Sequence, residues 1–233
     1  MPSLAAIIPT LNEARALPRT LLSLRQLPLD HVIIVDGGSD DGTVYVARSQ
    51  VAGIGRRPAT VIEAACGRAR QMNAGAAQAQ SDILLFLHAD TRLPPEACRE
   101  IEQVMSGSRY QGGRFDVQFE DDRGWAWVIS RMMNWRSRWT GIATGDQAIF
   151  VRRTVFDDLG GFADIPLMED IEFTQRLKRT GDVVALRATV TTSFRRWEQR
   201  GAVRTILHMW LLRLLYWLGV DPHTLHRWYA AIR

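Results

Sequence analysis

A chain of 233 residues that is 46% apolar and 23% charged carries enough hydrophobic mass for a sizeable core, which excludes a disordered chain. Its two cysteines, Cys66 and Cys98, are too few for a disulfide scaffold or a structural zinc site, and they suit a reducing compartment. The formal charge of +4 is unevenly spread: Arg176 to Arg233 hold 11 Lys+Arg against 3 Asp+Glu, whereas the first 175 residues hold 18 against 22. A basic tail on a mildly acidic body suits an anionic partner, either nucleic acid or a membrane surface. An arginine-rich composition, in which Lys178 is the one lysine, accounts for the tail equally well.

The opening MPSLAAIIPT has no basic leader and its apolar run stops at Pro9, so it reads as a first strand, Leu4 to Ile8, and not as a signal peptide. Arg15 to Leu27, with leucines at 17, 21, 24 and 27, reads as a helix, and His31 to Val35 as a second strand. A helix over Asp41 to Gln50, a weaker strand over Thr60 to Glu63 and an Ala-rich helix over Gly67 to Gln80 follow. A fourth strand is expected at Ile83 to Leu87. Strands apolar on both faces and alternating with helices predict a parallel sheet covered by helices. Beyond residue 92 the pattern loosens. Gly113 to Phe119 alternates like an antiparallel strand, Gln147 to Val151 is a further strand, and Asp164 to Arg179 contains a helix.

Ligands of open α/β sheets sit beyond the carboxyl ends of the strands, and four strand ends here carry polar residues. They are Pro9-Thr10-Leu11-Asn12-Glu13, the stretch DGGSDDGT from Asp36, the stretch GRARQMNAG from Gly67, and His88-Ala89-Asp90. Turn and helix-cap chemistry explains any one of them; four on one edge point to a site. The nearest approach to G-x-G-x-x-G begins at Gly53 and fails at Pro58, and no phosphate-binding G-x-x-x-x-G-K-[ST] is present. A carboxylate at a strand end beside a nucleotide pocket can instead hold a hard divalent cation against a diphosphate.

PTLNE, DGGSDDGT, GRARQMNAG, the aspartate Asp90 and the later Met168-Glu169-Asp170 occur in an order that resembles the family-2 glycosyltransferases of the GT-A fold. The likeness runs from residue 4 to about residue 180. It implies an α/β, GT-A-like, Rossmann-related and mostly parallel sheet flanked by helices. It also implies an inverting enzyme that moves a sugar from a nucleoside diphosphate sugar, UDP-linked by resemblance, to a hydroxyl acceptor with Mn2+ or Mg2+ as cofactor. Pro9, Thr10 and Glu13 match the family's first nucleotide contacts, Asp36 the reader of the base, and Arg68 and Asn73 the segment beneath the nucleotide. Asp90 matches the metal ligand of the family's D-x-D. His88 replaces the first aspartate; a ribose or phosphate contact, a place in the metal shell and a packed or capping histidine all stay open for it. Inversion needs a base for the acceptor hydroxyl. Acidic residues at 169 and 170 also suit the positive end of a helix, but the resemblance makes Asp170 the catalytic base and Glu169 its companion. Gly145-Asp146-Gln147 match the acceptor-side loop, Gly160-Gly161-Phe162 the turn before the acidic helix, and Arg196 with Trp197 an R-W element near the diphosphate.

Val203 to Val220 is strongly apolar but interrupted by Arg204, His208 and Arg213, so it is not expected to span a membrane. With Trp125, Trp127, Trp135 and Trp139 among arginines, it suits either a membrane-interface element or a surface packed on the body or across a homodimer. Expected, then, are a transferase domain over 1–190, with a donor half to about 92 and an acceptor half from 93, and an Arg/Trp-rich extension over 191–233. The expected place is the cytoplasm, peripheral on the inner face of the membrane, which suits a lipid-linked acceptor. No nucleic-acid motif is present. A nucleotidyltransferase and a non-catalytic, membrane-associated nucleotide-binding adaptor are the rival readings.

Overall fold

The computed structural model describes residues 2–194 and 201–231. β1 (Leu4–Thr10), β2 (His31–Asp36), β3 (Thr60–Glu63) and β4 (Ile83–Phe86) pair in parallel, with α1 (Leu17–Leu24), α2 (Thr43–Gln50) and α3 (Arg68–Gln78) as crossovers. The expected elements are all present, β3 with the bounds expected and the others within a few residues of theirs. The unbroken apolar runs arise because the sheet is covered on both faces. Ile83, Leu85 and Leu87 enter one core with α1, whereas Leu84 and Phe86 enter the other with α3. Helix α3 lies close on β1 because of Gly75: a Cβ there would meet Ile7 Cγ2 at 2.4 Å.

The second half is mixed. It runs β5 (Thr91–Arg92), α4 (Ala97–Met105), β6 (Tyr110–Phe119), α5 (Trp125–Thr140), a 3-10 turn at Gly145–Gln147, β7 (Ile149–Arg152), α6 (Arg153–Asp158), α7 (Glu169–Thr180) and β8 (Asp182–Thr192). The sheet order is β3-β2-β1-β4-β7-β6-β8-β5. β7 is antiparallel to both β4 and β6, as the alternation suggested, but β6 is parallel to β8, a strand missed in the sequence. β8 carries the sheet to Thr192, two residues past the boundary expected at 190.

Two further helices, α8 (Ala202–Trp217) and α9 (Pro222–Ala231), lie against the body. Leu212 and Leu225 are buried there with Ile142, Met168 and Ile171, so the tail packs on the residues around the start of α7. No helix among the described residues is long and apolar enough to cross a membrane.

Candidate active site

The direction of β7 assembles the site. β1, β2 and β4 end at one edge of the sheet, and β7, being antiparallel, begins there: its Ile149 pairs with Phe86, the last residue of β4. The turn Gly145–Gln147 just before β7 therefore arrives beside the residues that leave β4. Those residues are held in place. Leu87 N–H still donates to Ile7 O at 3.0 Å, Ala89 is buried in the core, and Thr20 Oγ1 donates to Ala89 O at 2.7 Å. His88 keeps the parity of Leu84 and Phe86 and so faces the turn. Its Nδ1 lies 3.1 Å from Asp146 Oδ1. Its Nε2 is buried without a hydrogen-bond partner and packs on Gly145, where a Cβ would come within 2.2 Å. Any side chain at 145 would have to displace the His88 ring. The backbone turns back at Asp90, with Thr91 N–H donating to His88 O at 3.1 Å. The half-buried Asp90 carboxylate has no hydrogen bond or ion pair among the described residues.

The acidic pair opens α7. Met168, its N-cap, is buried and sits at φ 70°, a left-handed conformation that few non-glycine residues adopt and that clusters at functional sites. This kink brings Asp170 back to the turn: Gly145 N–H donates to Asp170 Oδ2 at 2.8 Å and Ile171 N–H to Oδ1 at 2.7 Å. Each carboxylate oxygen keeps a free lone pair. Glu169 is only 3% exposed and meets Arg68 Nη1 at 3.2 Å. Burial raises the Glu169 pKa, Arg68 opposes that and Asp170 adds to it. Desolvation works against the charge on Arg68, but Glu169, then Asp170 and Asp146, outweigh it and hold the guanidinium firmly charged. Arg68, His88, Gly145, Glu169 and Asp170 line one crevice with Met72, Phe86, Ile149 and Phe162.

The donor-side candidates lie along the same edge and are tied to one another. Asp36, 1% exposed, accepts from Thr10 Oγ1 at 3.1 Å, from the Gly38 and Ser39 N–H groups at 2.9 and 2.7 Å, and from Ser39 Oγ at 2.6 Å. Its carboxylate thus shapes its own loop. Pro9 and Thr10 are buried beside it, and Glu13 N–H is held by Thr43 Oγ1 at 2.8 Å. Asn73 clamps the Gly160–Phe162 turn onto α3, donating to Phe162 O at 2.8 Å and accepting from Phe162 N–H at 2.9 Å. Gln147 is fully buried under the turn. Arg196 and Trp197 lie outside the described residues.

One residue at this edge was passed over in the sequence. Gln71, buried in α3 amid Ala69, Met72 and Ala76, donates through Nε2 to Thr10 O at 2.7 Å and to Val35 O at 2.8 Å. It ties together the ends of β1 and β2. The signal was a polar residue on the apolar face of a helix, which is retained only when its hydrogen bonds are made.

The family model described as "Glycosyl transferase family 2" matches residues 5–163, well over half the chain. The chain belongs to that family. A PGL/p-HBAD biosynthesis glycosyltransferase of Mycobacterium tuberculosis is 33% identical to this transferase-family chain over 175 residues, covering 69% of it and 63% of the relative. An undecaprenyl-phosphate 4-deoxy-4-formamido-L-arabinose transferase of Pseudomonas syringae is 30% identical over 168 residues, 65% of this chain and 48% of that one. The chain therefore spans about half to two thirds of the length of these relatives. Among solved structures, S. aureus TarS 1–349 in complex with UDP superposes with a TM-score of 0.68 at 17% identity, over 82% of this chain and 60% of that one. Mannosyltransferase PcManGT from Pyrobaculum calidifontis, in complex with GDP-Man and Mn2+, gives a TM-score of 0.68 at 19% identity, over 91% and 60%. At such identities the superpositions establish the fold, a GT-A glycosyltransferase architecture.

Proposed function

We propose that the chain transfers a sugar, with inversion, from a nucleoside diphosphate sugar to an acceptor hydroxyl, with Asp170 as the base. The observation that carries this reading is the placing of the Asp170 carboxylate. It stands at the ligand edge of the sheet, fixed by two backbone N–H donors and with lone pairs to spare, so it can take a proton without moving. A positioned base of this kind contributes roughly 10²–10⁴-fold to such a step. Glu169, buried against Arg68, sets the start of α7 and the charge around Asp170. Arg68 is the cation of the crevice and faces the diphosphate. Asp36, Thr10, Pro9 and Glu13 form the nucleotide end, where Asp36 acts chiefly by shaping the loop that meets the base. Asn73 and Gln147 position the two turns that frame the site, and Asp146 reaches the acceptor side.

A hard divalent ion fits one place here. No group of three His, Cys, Asp or Glu ligands is assembled among the described residues, which rules poorly for a self-sufficient metal cage. Mg2+ and Mn2+ sites of nucleotide enzymes need only one or two carboxylates, the rest being water and phosphate oxygens. Asp90, with its carboxylate uncommitted, meets that need. His88 does not, since Nδ1 is engaged by Asp146 and Nε2 is packed on Gly145; its part is to hold the turn. A cation held by Asp90 would offset the charge gathering on the departing diphosphate.

The complexes of the structural neighbours with UDP and with GDP-Man support a nucleotide-sugar donor and leave the base open. The undecaprenyl phosphate in the name of the Pseudomonas relative supports a lipid-linked acceptor. So does the outer face of α8, where Leu207, Trp210, Leu211, Leu214, Trp217 and Leu218 are all more than half exposed. Helical spacing puts them in one stripe, the pattern of a helix lying in a membrane interface. A second copy of the chain is the other occupant such a stripe would take.

Calorimetry with UDP and GDP, each with Mn2+, Mg2+ or EDTA, tests the donor site. One diphosphate is expected to bind in a metal-dependent way, and Asp90→Ala is expected to abolish the metal dependence. Equal binding with and without EDTA would remove the metal from the reading.

A further inference from the structure

A second cleft lies between α5 and the strands β6 and β8, and none of its lining residues lines the crevice at Asp170. It encloses about 390 Å³, within the usual range of small-molecule sites. A bulge shapes it. Arg114 pairs with Ala185 and Asp116 with Thr189, so one residue of β6, Phe115, stands against three of β8. Of those three, Leu186 and Ala188 turn into the core, and Arg187 is exposed on the cleft. Bulges re-aim side chains in this way and are frequent beside active sites.

Most of the walls are spent on one another. Arg138 donates to Ala185 O and Leu186 O at 3.1 and 3.0 Å, which clamps the bulge, and to Asp116 Oδ2 at 2.7 Å. The buried Arg114 donates to the other oxygen of Asp116 at 2.9 Å. Asn134 accepts from Val117 N–H and donates to Val117 O, both at 2.9 Å, and Asp122 accepts from Ser130 Oγ at 2.9 Å. Two guanidiniums are left over. Arg187 of β8 and Arg131 of α5 line the cleft from different elements, and neither makes a hydrogen bond or ion pair among the described residues. With Arg114 and Arg138 they set four positive charges against the two carboxylates. Uncommitted forks in a net positive cleft suit an oxyanion, and the planar fork of arginine matches phosphate.

The face of α5 beside Arg131 says where that phosphate comes from. Trp127, Arg131, Asn134 and Arg138 follow one another at helical spacing, with Arg131 over the Trp127 ring at 5.5 Å. The adjoining row brings Trp135 and Trp139, packed at 5.4 Å and 66% and 78% exposed. The helix holds no acidic residue. Exposed tryptophan among arginines suits a membrane interface, where the ring sits at headgroup level. We propose that this cleft binds the headgroup phosphate of an anionic phospholipid between Arg131 and Arg187, with the tryptophans of α5 in the interface. The site stands independently of the base at Asp170 and of the stripe on α8.

Calorimetry of the full chain with monomeric dihexanoyl phosphatidic acid, dihexanoyl phosphatidylcholine, glycerol 3-phosphate and UDP provides the test. Short-chain lipids present the headgroup without a bilayer for α8 to enter. Phosphatidic acid should bind more tightly than phosphatidylcholine or glycerol 3-phosphate. Arg131→Gln and Arg187→Gln should each weaken it by about fivefold or more, as expected for a charge-assisted hydrogen bond lost at an exposed site. Arg99→Gln removes an exposed arginine of α4 outside the cleft and should weaken it by less than about twofold. All three side chains are exposed, so the Tm values should match that of the parent. UDP binding should stay within about twofold. No binding of phosphatidic acid by the parent, or unchanged binding by the two cleft variants, would overturn the proposal. An equal loss in Arg99→Gln would overturn it by reducing the effect to overall charge. Glycerol 3-phosphate bound as tightly as the lipid would overturn the lipid source and leave a site for free phosphate esters. Joint loss of phosphatidic acid and UDP would overturn it by making the pair a seat for the donor.

Discussion

At the scale of single residues, the site is built from groups whose partners are mostly backbone. Asp170 is aimed by Gly145 N–H and Ile171 N–H, His88 by the glycine beneath it, and Asp36 by its own loop. Glu169 shows the cost. It is buried, and its pKa is raised by that burial, with Asp170 adding and Arg68 opposing. In the unfolded chain the carboxyl ionises near the usual value of 4.5. A raised folded pKa means that the native state holds the proton more tightly. The stability from this group is therefore full below about pH 4.5 and is lost as pH rises through the folded value. Glu169→Gln should accordingly raise Tm at pH 7 and change it little at pH 4. The lost contact with the half-exposed Arg68 subtracts little. Melting curves at the two pH values check the sign, and a lower Tm at pH 7 would mean that the ion pair outweighs the burial. The residue types at the strand ends were legible from their pattern. Their partners were not: nothing in HAD announces that His88 will pair with Asp146, because that contact depends on a strand 60 residues later running backwards.

At the scale of elements, the first half of the fold was readable because each strand is buried on both faces and each crossover helix has one apolar face. The second half was not, for an identifiable reason. β8 buries only alternate residues, Leu186, Ala188, Val190 and Thr192, with Arg187 exposed between them. Its polar half resembled the arginine-rich tail that follows. The period of two was present, but charge obscured it. Gly75 makes the opposite point, since helix propensity there is subordinate to packing. Alanine gains about 1 kcal/mol in a helix interior. A Cβ 2.4 Å from Ile7 Cγ2 and 3.0 Å from Val35 Cγ2 overpacks the sheet face, at a cost of about 1–3 kcal/mol. Gly75→Ala should therefore lower stability by about 1 kcal/mol net, a Tm drop of about 2–4 °C for a domain this size, readable by calorimetry. A gain in Tm would show that β1 and α3 separate freely.

At the scale of the whole molecule, charge and apolar surface are segregated in a way composition alone suggested. The last part of the basic tail forms α8 and α9, which pack over Ile142, Met168 and Ile171 through Leu212 and Leu225 and leave Leu207, Trp210, Leu211, Leu214 and Trp217 of α8 exposed. The start of α7, with Asp170, thus lies beside the segment whose outer apolar stripe we propose for a lipid surface. Trp210→Ser combined with Trp217→Ser should cut co-sedimentation with anionic phospholipid vesicles severalfold while leaving the fold intact, because both side chains are more than half exposed. Undiminished sedimentation would assign the stripe to another occupant. The sequence could offer membrane, body and dimer as partners for this helix; the packed inner face answers for the body, and only the outer face is left to assign.

If Asp170 takes the proton of the acceptor, removing its charge should stop transfer and spare donor binding. The most direct measurement pairs two readings on Asp170→Asn: release of nucleoside diphosphate from the nucleotide sugar that calorimetry selects, and binding of that diphosphate. Asparagine keeps the size of the side chain and can still accept from Gly145 N–H, so the fold of the turn should survive. Release should fall by about 10²-fold or more, with binding within about twofold of the parent. Full turnover would contradict the assignment of the base, and loss of binding together with turnover would mean that Asp170 holds the donor site together.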